Sequence, residues 1–328
     1  MNYRTLGKTG LKISEISLGT WQVGGKWGSN FNEKTAEEII NTAIDKGINF
    51  IDTADVYSDG LSERAVGKVV RSRSEEVYIA TKCGRQLNPH NNASYNVNVL
   101  RKFVEDSLSN LGVERIDLIQ LHCPPTEVYY RPEIFALFDD LTKEGKIRNY
   151  GVSVEKVEEA LKSIDYEGVA TVQIIFNMLR QRPSELFFRE AKAKNVGILA
   201  RVPLASGLLT GKFSKDSKFS KDDHRNFNID GAAFDKGETF SGIDYNLGLK
   251  TVEELKQVFG EDQSLVHKAL QWILAFEEIS CVIPGASNVS QLLNNLETYN
   301  SKPLSKTEFE KVNAIYTKNI KNSVHHLW

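Results

Sequence analysis

The sequence predicts an α/β protein in which eight strand–helix units close into a (β/α)8 TIM barrel. Eight short β-rich runs recur along the 328 residues: EISLGT, NFIDTA, VYIATK, DLIQLH, RNYGVS, ATVQII, GILARV and SCVIPG. Segments with helical spacing of apolar residues lie between these runs, and several of them end in Gly or Asn, as helices do. Consecutive strand–helix units predict parallel strands with right-handed crossovers, and eight such units close most naturally as a barrel.

Several segments fall outside the eight units. RTLGKTGLKIS, before the first strand, alternates around a KTG turn and predicts a β-hairpin that caps the bottom of the barrel. The stretch after strand seven, from about Leu204 to Asp262, is too long for a simple loop and predicts a functional lid with some helix. SKTEFEKVNAIYTKNI predicts one more amphipathic helix, and the tail SVHHLW predicts a loose end or pocket flap, with His325 and His326 in solvent. No internal repeat or linker divides the sequence, so we expect one domain over residues 1–328.

The balance of charge argues against a polyanionic or membrane partner. Lysine and arginine number 41 against 43 aspartates and glutamates, and the formal net charge is -2. The N-terminus lacks the apolar core of a signal peptide, and no stretch approaches the ~18 apolar residues of a membrane helix. The cysteines Cys83, Cys123 and Cys281 have no CxxC spacing, which is typical of reduced thiols. We expect a cytoplasmic protein that binds neither nucleic acid nor membrane.

Polar residues collect where the predicted strands end. Barrel chemistry lies at the C-terminal ends of the strands, where the loops converge on one mouth. Asp52, Lys82 and His122 end strands two, three and four, and Tyr57 follows Asp52 on the next loop. Buried singly, the charged members of this set would cost several kcal/mol, so we expect them to pair with one another. The neighbouring strands place further residues at the same rim, namely Thr20, Trp21, Ser153 and Gln173.

The chemistry of this set suggests a proton donor. A phenol has a reference pKa near ~10, and an adjacent ammonium favours the phenolate and lowers that pKa. Lys82 would supply the ammonium, Asp52 would hold Lys82 charged, and His122 would hydrogen-bond the same substrate oxygen as Tyr57. A group that protonates and polarises an oxygen suits reduction of a carbonyl by hydride from a cofactor.

The sequence resembles the aldo-keto reductase superfamily over nearly its whole length. The matching segments occur in the family's order: RTLGKTGLKISEISLGTW, FIDTADVY with LSERAVGK, VYIATK, IDLIQLH, IRNYGVS, VQIIFN, PLASGLLTGK and VIPGASNVSQLLNNL. The resemblance implies a catalytic tetrad of Asp52, Tyr57, Lys82 and His122, with Tyr57 as general acid or base. It also implies a substrate pocket that includes Trp21, Tyr57 and His122.

A nicotinamide cofactor, usually NADP and with NAD possible, follows from the same resemblance. The implied cofactor-binding residues are Thr20, Trp21, Asp52, Ser153, Gln173, Arg201, Pro203, Leu204, Ser206, Gly207, Leu209, Lys212, Gly285, Ser287, Gln291, Asn294 and Asn295. At two positions this sequence departs from the family pattern. Val154 follows Ser153 where the family often has Asn, and Arg201 replaces an aromatic residue that often stacks on the nicotinamide. A planar guanidinium can also stack, so we expect Arg201 to reach the nicotinamide or the substrate mouth.

Other kinds of site find less support. Cys83 and Cys123 directly follow Lys82 and His122, yet the six histidines include no HxH pair, so we expect no metal. GLLTGK, residues 207–212, is one residue short of the Walker spacing and has Phe213 in place of the final Ser or Thr. A metal-dependent hydrolase is therefore disfavoured, as is nucleotide triphosphate hydrolysis.

The favoured function is an NAD(P)(H)-dependent oxidoreductase that interconverts an aldehyde, ketone or sugar carbonyl and its alcohol. The alternative is a cofactor-binding regulatory subunit on the same fold, because the superfamily includes ion-channel β subunits. The loops GRQLNPHNNASYN and PPTEVYYRPE carry several amides and tyrosines, which favours a hydroxylated substrate or a short polar aldehyde. The residues do not indicate an oligomeric state.

Overall fold

The computed structural model describes residues 1–25 and 30–328. Its strands are β1 (Tyr3–Thr5), β2 (Lys12–Ser14), β3 (Leu18–Gly19), β4 (Phe50–Asp52), β5 (Tyr78–Cys83), β6 (Ile116–His122), β7 (Ile147–Val154), β8 (Val169–Ile175), β9 (Gly197–Arg201) and β10 (Ile279–Ile283). Its α-helices are α1 (Glu33–Asp45), α2 (Leu61–Arg71), α3 (Val97–Leu111), α4 (Pro132–Lys143), α5 (Val157–Ser163), α6 (Phe187–Ala193), α7 (His224–Phe227), α8 (Tyr245–Phe259), α9 (Leu265–Leu274), α10 (Val289–Leu296), α11 (Lys306–Asn319) and α12 (Lys321–Val324).

Strands β3 to β10 form one sheet in sequence order, and every neighbouring pair within it is parallel. Isolated parallel bridges from Ile16 to Val282 and from Gly19 to Gly285 join the first of these strands to the last. The backbone N–H of Gly19 donates to the carbonyl of Pro284 at 3.1 Å at this seam. The sheet is therefore a nearly closed barrel, and the predicted (β/α)8 fold is confirmed.

The N-terminal hairpin closes the bottom of the barrel, as predicted. Strands β1 and β2 pair antiparallel, with Tyr3 opposite Ser14. Leu6, Leu11 and Ile13 from the hairpin form one apolar cluster with residues that point into the barrel, namely Phe50, Tyr78, Ala80, Leu118, Leu199, Cys281 and Ile283. A side chain at Gly7 would not fit, because its Cβ would lie 2.2 Å from the backbone nitrogen of Gly197. This plug leaves the opposite, C-terminal end of the barrel as the open mouth.

Helices cover the outside of the barrel with their apolar faces. In α3 the buried side chains include Leu100, Val104 and Leu111, which recur at helical spacing. The side chain of Asn96 caps the start of this helix, and Gly112 ends it in the left-handed conformation. Sequence alone indicated this stop. Among the described residues, no helix is both long and apolar enough to cross a bilayer.

The long segment after β9 folds across one side of the mouth. It contains the short helix α7 and the whole of α8, in agreement with the predicted lid with some helix. Two hydrogen bonds of 2.9 Å fix it, from Ser206 Oγ to the carbonyl of Glu238 and from Asn177 Nδ2 to Ser241 Oγ. We call residues 204–244 the lid.

The tail differs from the predicted loose end. Trp328 is only 4% exposed, and its Nε1 donates to Asp235 Oδ1 in the lid at 2.8 Å. Its ring also lies under Arg180, with the guanidinium carbon 4.4 Å from the ring centroid. The prediction of a solvated His325 is wrong as well, because its Nε2 contacts Glu185 Oε2 at 3.0 Å, whereas His326 is exposed. The tail was misread because its partners lie far away in sequence.

We predict that Trp328→Ala lowers the free energy of unfolding by roughly 3 kcal/mol, since truncation of a buried tryptophan leaves a cavity. Because Trp328 packs on Asp235, the lid should also become more sensitive to proteolysis. Denaturant unfolding and limited proteolysis measure the two effects, with His326→Ala as the matched control on the same tail. Equal stability of the two variants would show that the Trp328 contacts contribute nothing.

Candidate active site

A cavity of about 1000 Å³ opens at the C-terminal end of the barrel. The predicted residues that line it are Thr20, Trp21, Asp52, Tyr57, His122, Gln173, Arg201, Pro203, Leu204, Ser206, Gly207, Lys212, Gly285, Gln291, Asn294 and Asn295. The barrel topology accounts for this grouping, because the residues follow successive parallel strands whose ends meet at one rim. Most of the predicted site therefore faces one space.

Lys82 is the centre of the predicted tetrad. Its ammonium is fully buried and lies 2.6 Å from Asp52 Oδ1 and 2.8 Å from the carbonyl of Thr53. It also contacts the hydroxyl of Tyr57 at 3.3 Å. Burial acts to lower the pKa of Lys82, but Asp52 and Tyr57 outweigh it, so that the pKa lies above its usual value. The lysine is therefore held as a cation directly behind the phenol.

Two amides hold the other oxygen of Asp52. Gln173 Nε2 donates to Asp52 Oδ2 at 2.8 Å, and Gln120 Nε2 approaches the same atom at 3.4 Å. Gln173 was placed from sequence among the cofactor-binding residues, whereas Gln120 was not mentioned. Gln120 could have been found, because it lies two residues before His122 and so points to the same side of β6. Both amides orient the carboxylate that fixes Lys82.

The prediction that Lys82 lowers the pKa of Tyr57 holds only in part. Burial raises the pKa of the Tyr57 phenol, and the opposing effect of Lys82 is smaller, so the net shift is upward. The expected direction was wrong because the depth of Tyr57 in the mouth was not known. Tyr57 is therefore protonated at neutral pH, as a proton donor requires.

His122 completes the set as a neutral imidazole. Its ring meets the Tyr57 ring edge-on, with centroids 6.0 Å apart. Burial, followed by the charges of Arg85 and Lys82, holds the pKa of His122 well below its usual value. A neutral imidazole can donate one N–H to an oxygen that Tyr57 also contacts.

Aromatic rings form one wall of the cavity beside Tyr57. The Trp21 ring lies 6.5 Å from that of Tyr57, 5.0 Å from that of His224 and 6.4 Å from that of Phe234, measured between centroids. The placement of Trp21 agrees with its predicted role as a pocket wall. His224 and Phe234 come from the lid and were not identified from sequence, because nothing local marks which lid residues turn inward.

Arg201 does not stand free in the mouth like the aromatic residue it replaces. Its Nη2 lies 2.9 Å from Glu155 Oε1 and donates to the carbonyl of Val154 at 3.1 Å, and its Nη1 lies 3.6 Å from Glu238 Oε2. Arg201 still lines the cavity, so it reaches the mouth as predicted. However, its planar guanidinium lies between two acidic side chains: Glu155, just after a barrel strand, and Glu238, in the lid.

The same cluster bears on the metal alternative. Ligand atoms of Cys123, Glu155 and Glu238 lie within 4.8 Å of one another in the described part of the chain. Arg201 contacts all three, including Cys123 Sγ at 3.5 Å. A guanidinium thus supplies the positive charge at this position. Cys83 is buried elsewhere in the apolar core and does not join the cluster.

Four predicted residues do not line the cavity. Lys82 lies beneath it, in contact with Tyr57. Leu209 is fully buried in the apolar core, so its predicted contact with a cofactor is not supported. Ser153 is buried beside Cys123, with Oγ 3.5 Å from Sγ. Ser287 donates to Gln291 Oε1 through its backbone N–H at 2.9 Å and its Oγ at 3.1 Å.

The remaining residues fit an extended dinucleotide. Ala205, Ser206 and Gly207 have positive φ angles of 47°, 55° and 98°, which bend the backbone around the cavity edge. Lys212 and Arg225 add cationic groups to the lining, and cations suit a pyrophosphate or ribose phosphate. On the opposite side, α10 begins beside Gly285, with Asn288 capping the N–H of Gln291 at 2.9 Å. The cavity therefore has cationic groups on the lid side and neutral hydrogen-bonding groups on the α10 side.

Comparison with known proteins identifies the family. The family model described as "Aldo/keto reductase family" matches residues 15–317. The aldo-keto reductase YhdN of Bacillus subtilis (strain 168) is 32% identical over 335 residues, covering 99% of this chain and 96% of that protein. The uncharacterized oxidoreductase YqkF of the same organism is 29% identical over 317 residues, covering 96% of each. A probable voltage-gated potassium channel subunit beta of Arabidopsis thaliana is 27% identical and covers 93% of each.

Solved structures agree. The glycerol dehydrogenase of Gluconobacter oxydans superposes with a TM-score of 0.79 at 27% identity, covering 98% of this chain and 97% of that one. The holo form of an aldo-keto reductase from Bacillus halodurans gives a TM-score of 0.78 at 25% identity, covering 96% of each. The fold, the matched residues and these relatives place the chain in the aldo/keto reductase family.

Proposed function

We propose that this chain is an NAD(P)(H)-dependent oxidoreductase that interconverts an aldehyde, ketone or sugar carbonyl and its alcohol, with Tyr57 as general acid/base. The observation that carries the proposal is the buried chain of contacts from Asp52 through Lys82 to the Tyr57 hydroxyl, at 2.6 and 3.3 Å, below a cavity large enough for a cofactor. The family membership supports the same reaction class.

Each residue of the tetrad has a distinct role in the proposed reduction. Tyr57 donates its proton to the carbonyl oxygen, and His122 donates a hydrogen bond to the same oxygen. As the proton leaves, the Lys82 ammonium stabilises the phenolate that forms, and a preorganised charge of this kind acts most strongly where charge develops. Asp52 keeps Lys82 in place throughout. A bound nicotinamide would supply the hydride, and the residues along Ser206, Lys212 and Gln291 would hold the dinucleotide.

A regulatory role is the second candidate. It is favoured by the similarity to a plant protein named as a probable voltage-gated potassium channel subunit beta. The intact tetrad geometry favours turnover, although a regulatory subunit could retain it. Oxidation of the reduced cofactor on addition of a panel of aldehydes separates the two candidates, because a regulatory subunit would bind cofactor with little turnover.

We predict that Tyr57→Phe lowers kcat by roughly 10²-fold or more, because it removes the oriented proton donor. Cofactor affinity should persist, since the hydroxyl contributes little to holding the dinucleotide. Tyr130→Phe is the matched control, because this tyrosine is 64% exposed and lies outside the cavity lining. Steady-state kinetics and cofactor titration measure both quantities, and wild-type kcat in the Tyr57 variant would remove Tyr57 from its proposed role.

The pH profile of reduction gives a separate prediction. Reduction needs Tyr57 in its protonated form. Because burial raises the pKa of Tyr57, this form remains the main one as the pH rises above neutrality. We expect log kcat/KM for reduction to stay level from about pH 6 to 9 and to fall only above ~10. His122 should add no limb in this range, since its pKa lies well below the usual value. A descending limb centred near pH 7 in the reductive direction would contradict the assignment.

We also predict a modest preference for NADP(H) over NAD(H), at most about 1 to 3 kcal/mol, or the scale of a few hydrogen bonds. The segment 284–296 that lies beside the cavity carries Ser, Gln and Asn but neither Lys nor Arg. Charge-assisted bonds to a phosphate from this segment are therefore absent. Comparing kcat/KM for both cofactors with one aldehyde tests this. Gln291→Arg should strengthen the preference, whereas Asn300→Arg, outside the cavity lining, should not.

A further inference from the structure

Arg85 is a cationic residue in the cavity that the proposed reaction does not use. It follows β5 by two residues and its side chain is 20% exposed, on the cavity surface. Its Nη1 donates to Glu238 Oε1 at 2.9 Å, and its guanidinium carbon lies 5.4 Å from the centroid of the Phe234 ring. Both contacts are to the lid, and together they fix the position of the guanidinium.

The guanidinium faces the same space as the tetrad. After burial itself, the charge of Arg85 is the strongest influence that lowers the pKa of His122, ahead of the charge of Lys82. Arg85, His122 and Tyr57 all line the one cavity. A substrate whose carbonyl oxygen lies at Tyr57 and His122 would therefore share this cavity with Arg85.

Arg85 has hydrogen-bond donors that no described residue accepts from. A guanidinium carries five N–H donors in a planar fork. Within residues 1–25 and 30–328, only Nη1 of Arg85 makes a hydrogen bond, so Nε and Nη2 have no protein acceptor there. A planar fork with two adjacent open edges matches a carboxylate or phosphate, which accept bidentate bonds.

Arg85 and Arg201 share an acidic partner in this corner of the cavity. Burial acts to raise the pKa of Glu238, but Arg85 and Arg201 outweigh it and bring the pKa to about 2, so this carboxyl is ionised. Burial raises the pKa of Glu155, and Arg201, 2.9 Å away, opposes that rise. Arg85 and Arg201 therefore both lie against the carboxylate of Glu238.

Apolar and aromatic side chains form part of the pocket beside Tyr57. Its wall is formed by Trp21, Val56 and Phe234, which suit the carbon skeleton of a small substrate. Glu238 is the matching anion of Arg85, but it accepts only from Nη1 and leaves the other donors of the fork open. An anionic substrate group would satisfy these open donors.

We propose that Arg85 binds an anionic group, a carboxylate or a phosphate, on the carbonyl substrate while Tyr57 and His122 hold the carbonyl oxygen. This inference rests on the proposed function and narrows its substrate class to short oxo acids or phosphorylated aldehydes. Arg85 is then a specificity-determining residue, and Glu238 orients it while competing with the substrate anion for its charge.

Matched pairs of substrates test the proposal. One pair is succinic semialdehyde and its methyl ester, and the other is glyceraldehyde 3-phosphate and glyceraldehyde, so that the two arms separate carboxylate from phosphate. Arg85→Gln should lower kcat/KM for the anionic member of the preferred pair by roughly 10- to 100-fold, mainly through KM, because a charge-assisted bond is lost. For the neutral member of the pair, kcat/KM should change less than threefold in the same variant. Arg101→Gln is the control, since Arg101 pairs with Glu144 on the outer surface.

Two further variants keep the test decisive. Arg85→Lys should restore part of the anion preference, because it keeps the charge but loses the fork. Glu238→Gln should raise the ratio of kcat/KM for the anionic over the neutral substrate, since it removes the competing carboxylate. If Arg85 only tied down the lid, Arg85→Gln and Glu238→Gln would lower turnover of both members alike, and that result would overturn the proposal.

The test of Arg85 as an anion-binding residue can be separated from the test of the proposed function. If the wild type reduces no carbonyl at all, the proposed function fails. Calorimetric titration with succinate and with succinamide, on wild type and Arg85→Gln, then still decides whether Arg85 binds an anion. Binding of succinate that depends on Arg85 supports the site, and equal binding of both probes, or binding unchanged by Arg85→Gln, overturns it.

Discussion

The buried ion pair of Lys82 and Asp52 is the constraint on which the rest of the site depends. An ammonium with no exposed surface is tolerable only because a carboxylate lies 2.6 Å away and the carbonyl of Thr53 lies 2.8 Å away. Asp52 is in turn held by amides from β6 and β8. Four barrel strands thus contribute to one charge pair, and loss of either ion would leave the other buried and uncompensated, at a cost of about 3–5 kcal/mol.

A second group of charges links the lid to the barrel. Glu238, in the lid, faces Arg85 after β5 and Arg201 at the end of β9. Glu155, just beyond β7, meets Arg201 from the other side. Where family members often present an aromatic ring, this chain therefore has a guanidinium that needs carboxylates on both sides. The ion pairs of Glu238 both position the lid and set the charge of the cavity wall. A substitution in these ion pairs therefore alters both.

Sequence patterns predicted the barrel, the hairpin and the lid because these depend on local periodicity and on strand order, whereas most of the cavity lining was implied by the resemblance to the family. Asp52, Lys82 and His122 each end a strand, so parallel pairing alone brings them together. By contrast, Arg85 and Glu238 are separated by 153 positions and Trp328 and Asp235 by 93, and no local pattern marks either pair. The direction of the Tyr57 pKa also escaped prediction, since it depends on how deeply the phenol is buried.

Burial and charge act on Tyr57 in opposite directions, and their combination suits a proton donor. Burial favours the neutral phenol, so in the proposed reaction the proton would be present when a carbonyl arrives. Lys82 favours the phenolate, and this interaction becomes strong only as the proton leaves, because a low-dielectric site amplifies the attraction between the ammonium and the new negative charge. In the proposed reaction, the contact of 3.3 Å would therefore be weak in the ground state and stronger in the transition state. An interaction that strengthens along the reaction raises kcat instead of merely tightening substrate binding.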